Sequence, residues 1–280
     1  MNNITSEFFK IIKVDSKHTR GYSGSWYLTI IKPLPDNQEI KDIISDLFLG
    51  KTVCVNIDGG IEHYNRCDNY SHYLPKKVHI AIDKILSNIE DTSFKIAIRD
   101  PYYEYKTGSM VPVLQGQPLV FCIEPTINFE SFPNQPHING YTQEKIPASL
   151  CYTNDYSNFK GKSIDEMIKY AIDQSSIWLF KHQLWVELEK IGFLESWIGP
   201  EAERLDNFKK ITLINPNSRC LCGSEKPFKD CCLNTYFMKQ NKKPIDAREL
   251  TNLQERWDKH NNFEKDFRAL FLDLFDRYKV

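Results

Sequence analysis

The sequence predicts an α+β fold: an antiparallel sheet with flanking helices, then a small cysteine-rich knuckle and C-terminal helices. Three observations predict it. Short β-branched and aromatic runs stand between turn residues, as strands do. Apolar residues recur at helical spacing before and after those runs, which gives an order of helix, strands, long loop and helices. Four cysteines then crowd into residues 220–232.

The elements follow in chain order. Residues 1–75 mix apolar runs with polar turns and form an N-terminal α/β region. Trp26 to Ile31 reads as a strand that stops at Pro33, Ile40 to Leu49 as a helix, and Thr52 to Ile57 as a strand closed by Asp58-Gly59-Gly60. Residues 76–200 form the central domain. Lys76 to Glu90 has helical spacing, Phe94 to Ile98 reads as a strand, and Met110 to Glu124 reads as a hairpin turning at Gln115-Gly116-Gln117-Pro118. Residues 125–162 are rich in proline and loop-like. Ser163 with Glu166 spells a capping box, so a helix starts there, and a second helical stretch covers Leu184 to Ile191 before Gly192. After a connector come the cysteine knuckle, 215–240, and an amphipathic segment, 245–280. In that segment Phe267, Leu270, Phe271, Leu274 and Phe275 share a face, and Asn261-Asn262 is expected to break the helix in two.

The 280 residues carry a net charge of −1, which argues against binding dominated by phosphate attraction while leaving a local basic patch open. The N-terminus lacks a basic stretch followed by an apolar core, and no run approaches the roughly 18 apolar residues of a membrane span. A cytoplasmic protein with reduced thiols and no membrane partner is the expectation.

The cysteine cluster carries the sharpest chemical signal. Cys220-Leu221-Cys222-Gly223-Ser224 and Cys231-Cys232 are two close pairs separated by a turn, a spacing that can gather four thiolates around one ion. Zinc favours such tetrahedral sulfur sets, and a closed four-cysteine site is structural because it leaves no open position. Two disulfides or simple thiols are the alternatives. These residues resemble the SEC-C motif, a short zinc module of pattern C-x-C-G-S, a basic turn, then C-C or C-H. The resemblance implies Zn2+ binding and contact with proteins, ribosomes or nucleic acid.

A second resemblance lies upstream. Phe132-Pro133, His137-Ile138-Asn139 and the later Cys151 follow the strands and precede a long helix. That order resembles the ubiquitin-conjugating enzyme fold, especially its divergent bacterial relatives, although Ile138 stands where the family has proline. The resemblance implies that Cys151 carries an acyl thioester and passes it to an amine. Asn139 would support the oxyanion, His137 would stand beside it, and Asp155 would orient the incoming lysine. It further implies a ubiquitin-like protein, an activating enzyme or a target protein as partner, and for bacterial members an association with antiphage defence. The bland alternative is that Cys151 is an inert cysteine at a strand end. A hydrolase reading would instead pair Cys151 with His137 or His182, which the spacing does not specify. Two functions therefore stand: a conjugating-type transferase, or a non-catalytic adaptor whose zinc module recruits a partner.

Overall fold

The structure, a computed structural model, describes residues 4–5, 10–19, 22, 24–33, 53–57, 60–64, 76–88, 91–105, 112–115, 117–127, 138–139, 149–153, 156–190, 215–220 and 224–280. The predicted helix at Ile40 to Leu49 lies outside them.

The strands are β1 (Ile4–Thr5), β2 (Lys10–Val14), β3 (Trp26–Ile31), β4 (Val53–Ile57), β5 (Gly60–Tyr64), β6 (Phe94–Arg99), β7 (Tyr102–Tyr105), β8 (Pro112–Gln115), β9 (Leu119–Glu124), β10 (Ile138–Asn139) and β11 (Ser149–Leu150). The helices are α1 (Lys76–Asn88), α2 (Ile164–Lys190), α3 (Cys232–Asn241) and α4 (Ala247–Tyr278). Seven strands form one sheet in the order β1-β2-β3-β6-β9-β11-β10, every neighbour antiparallel. β4 pairs with β5, and β7 with β8, as separate two-stranded sheets. β2 and β3 thus lie in the same sheet as β6 and β9, so residue 75 does not separate two sheets.

The central strands are apolar on both faces because helices cover both. On one face Tyr27, Ile31, Phe94, Ile96, Ile98, Val120 and Cys122 join residues of α1 and α2 in one core. On the other, Val14, Trp26, Leu28, Ala97, Phe121 and Ile123 pack against Phe267, Leu270, Phe271, Leu274 and Phe275 of α4. Alternation along each strand produces this division. In register, Ala97 lies between Leu28 of β3 and Phe121 of β9, and the small side chain leaves room for rings. Trp26 stands 4.6 Å from Phe271 and Phe121 stands 5.1 Å from Phe267, centroid to centroid. Arg268 pins α4 to the sheet: its Nη1 donates to the carbonyls of Cys122 (2.6 Å) and Ile123 (2.9 Å), while Glu264 pairs with the guanidinium at 2.8 Å.

Three sequence expectations need correction. Met110 to Glu124 is not a hairpin: β8 pairs with β7, and β9 pairs with β6, because the apolar β9 gains more by entering the two-sided core. Leu184 to Lys190 is no second helix but the end of the 27-residue α2, whose buried Trp178, Leu179, Phe180, Leu184 and Trp185 hold it continuous. Asn261-Asn262 does not break the C-terminal helix; α4 runs 32 residues, about 48 Å at 1.5 Å per residue. The predicted capping box is present, with the Ser163 N–H donating to Glu166 Oε2 at 2.7 Å and the Glu166 N–H to Ser163 Oγ at 3.3 Å.

Candidate metal centre

Two short backbone stretches build the knuckle. Arg219 bridges Pro227 in antiparallel fashion, and the Cys220 N–H donates to the Lys226 carbonyl at 2.7 Å. The Phe228 N–H reaches Ser218 O at 2.8 Å and the Lys229 N–H reaches Pro216 O at 2.9 Å, so residues 216–220 and 226–229 run side by side. Glu225 takes φ of +58° in the connecting turn, a left-handed position the sequence did not flag. A single helical turn, Phe228–Asp230, leads into α3, which begins at Cys232.

This path gathers the sulfur atoms. The Sγ atoms of Cys220, Cys231 and Cys232 all lie within 4.8 Å of one another. Tetrahedral zinc with Zn–S bonds near 2.3 Å would set sulfurs about 3.8 Å apart, so the donor set fits that ion with little rearrangement. Cys222, the fourth expected ligand, lies outside the described residues. Ser224 Oγ stands 3.1 Å from Cys231 Sγ, where a hydroxyl can donate to a thiolate and moderate its charge. The described cysteines Cys122, Cys151, Cys220, Cys231 and Cys232 form no disulfide.

A small core sits beneath the sulfurs. Cys220, Phe228, Leu233, Phe237 and Leu253 are buried together, with Leu250 and Ile245 packed against them. Leu250 and Leu253 belong to α4, so the knuckle and the sheet share one helix. Asn217 Nδ2 donates to Gln254 Oε1 on α4 at 2.8 Å, and the Ile245 N–H donates to Asn234 Oδ1 at 3.2 Å. Asp246 caps α4: its carboxylate accepts from the Glu249 N–H at 2.8 Å, and Glu249 accepts from the Asp246 N–H at 3.2 Å. The acid end of that box carries the positional signature in sequence; the contact of Leu253 with the cysteine knuckle does not, because it depends on the path between them.

The second group of expected site residues is only partly brought together. β10 pairs with β11 so that Asn139 lies across from Ser149, two residues before Cys151. Cys151 follows β11 and is part-exposed, whereas Cys122 is buried in β9. Burial pushes the Cys122 thiol up to about 12, with the Arg268 charge opposing, so it stays protonated and serves packing. His137 and Asp155 lie outside the described residues. His182 belongs to α2, stacked on Trp178 at 5.3 Å, and burial lowers its pKa to about 4. It lines a cavity of about 320 Å³ with Ile85, Phe94, Pro125 and Ile127. The lining of this cavity holds His182 but not Cys151.

Among the described residues, no helix is long and apolar enough to cross a membrane. The SEC-C motif family matches residues 217–234. No curated protein and no solved structure gives a significant match to the chain.

Proposed function

We propose that the protein is an adaptor with a metal-folded recruitment head: zinc held by Cys220, Cys222, Cys231 and Cys232 orders the head, and α4 fixes it to the sheet. The observation that carries this reading is the pairing of a three-sulfur cluster with a five-residue core. So few buried side chains cannot offset the conformational entropy of the segment, so metal binding supplies the folding free energy. The head has no open catalytic position once four sulfurs close the site, which leaves contact with a protein partner as its task. In the test, metal content of the purified chain should be about one zinc, and removing it with a chelator should abolish partner binding while the sheet stays folded. A zinc-stripped chain that binds its partner with undiminished affinity would sink the reading.

One observation favours a second reading, in which Cys151 carries an acyl thioester in the manner of ubiquitin-conjugating enzymes. The thiol is part-exposed at a strand end, and the neighbouring strand β10 lays Asn139 close by in register. The thiolate would attack an activated carboxyl carbon, expel its leaving group and hold the acyl group until an amine displaces it. A thiol-sensitive adduct with a ubiquitin-like protein and its activating enzyme should form, persist in Cys122→Ala and vanish in Cys151→Ala. An adduct that survives Cys151→Ala counts against this assignment.

A further inference from the structure

Among the described residues two large hydrophobic side chains are exposed, Ile80 and Met238. Met238 is 46% exposed and stands on α3, in the head. Thr235, Met238, Lys239 and Lys242 are all exposed and fall at i, i+3, i+4 and i+7, so they form one outward stripe on α3 and its C-cap. The opposite side of the helix is spent on the head's own core through Leu233 and Phe237. The stripe begins at the end of the residues that match the SEC-C family and runs beyond them.

Charge selects the partner. Residues 219–243 hold six basic residues, Arg219, Lys226, Lys229, Lys239, Lys242 and Lys243, against two acidic ones, Glu225 and Asp230, in a chain whose net charge is −1. A four-thiolate zinc centre would add about two negative charges, with Cys220 buried and Cys231 and Cys232 part-exposed, and would leave the head positive. Lys243 is engaged with Asp246 at 3.5 Å and Glu249 at 3.3 Å. Lys239 and Lys242 have no such ion pair among the described residues. Both lysines follow the exposed Met238 on the same stripe, and its thioether is a flexible apolar side chain that adapts to varied partners.

We infer that this α3 stripe docks an acidic protein segment that seats an apolar side chain on Met238 between carboxylates on Lys239 and Lys242. The inference rests on the recruitment reading and names its partner class. Nucleic acid fits less well: the centre of the stripe is an apolar side chain, and the cations beside it are lysines without the planar fork that arginine offers to phosphate.

The test is fluorescence anisotropy on the full, zinc-loaded chain with three labelled probes: a Glu/Asp-rich peptide carrying one Leu, the same peptide with Ser for Leu, and oligouridylate. The Leu peptide should bind best and weaken as salt rises. Lys239→Glu with Lys242→Glu should weaken it by about tenfold or more. Met238→Ser should erase the preference for Leu over Ser. Circular dichroism and zinc content, unchanged in these surface variants, exclude misfolding. Peptide binding that is unaffected by the substitutions, or absent, overturns the inference. Tighter binding of oligouridylate through the same lysines overturns it too, and leaves the recruitment reading standing. The recruitment reading itself fails separately, if partner binding survives zinc removal.

Discussion

At the scale of single residues, Cys231 and His182 each give a sharp expectation. Cys231 stands at the junction of knuckle and α3, takes a hydroxyl contact from Ser224, and has two thiols within 4.8 Å. If the cluster holds zinc as proposed, Cys231→Ser should abolish its uptake, as read by metal analysis, because serine is a poor zinc ligand. His182 gives a pH signature. Its pKa is about 4 in the fold against an ordinary 6.5, so the unfolded chain binds the extra proton between those values. Stability is full above about pH 6.5 and falls as the pH drops toward 4, by about 3 kcal/mol in all. Urea titrations across that range should show the slope, and His182→Phe, which keeps a ring on Trp178, should flatten it. The gathering of Cys220, Cys231 and Cys232 was legible in the sequence because their spacing is local. His182 was not, since only the packing of α2 reveals that Trp178 and Trp185 enclose it.

At the scale of elements, α4 connects the two packed regions. Its first turns hold Leu250 and Leu253 in the head's core, and its last turns hold Phe267 to Phe275 against the sheet. Phe271 is fully buried and touches Trp26, so Phe271→Ala should cost about 3–5 kcal/mol of unfolding free energy in denaturant titrations without lowering zinc content. Asp246→Ala should cost only about 1 kcal/mol by removing the cap at the other end. The apolar face of this helix could be read from periodicity, but its continuity through Asn261-Asn262 could not. Asparagine lowers helix propensity slightly, and packing at both ends overrides so small a local preference. The strand pairings failed in the same way: β9 reads as one arm of a local hairpin until the partner β6 offers a core on both faces.

At the scale of the molecule, an antiparallel sheet lies between two helical layers, and one helix carries a sulfur-rich head. The fold class was legible because strand and helix periods differ. The arrangement was less so, because β3 reaches β6 across about sixty residues of sequence, a long-range closure that no local pattern encodes. The two regions differ in apolar support: the sheet has extensive apolar cores, while the head's hydrophobic cluster holds five buried residues among those described. Hydrogen exchange on the full chain, with zinc and after complete chelation, tests this most directly. The account predicts that amides of 216–258 lose protection without zinc while those of β3, β6 and β9 keep theirs. Unchanged protection of 216–258 in the metal-free chain would contradict it.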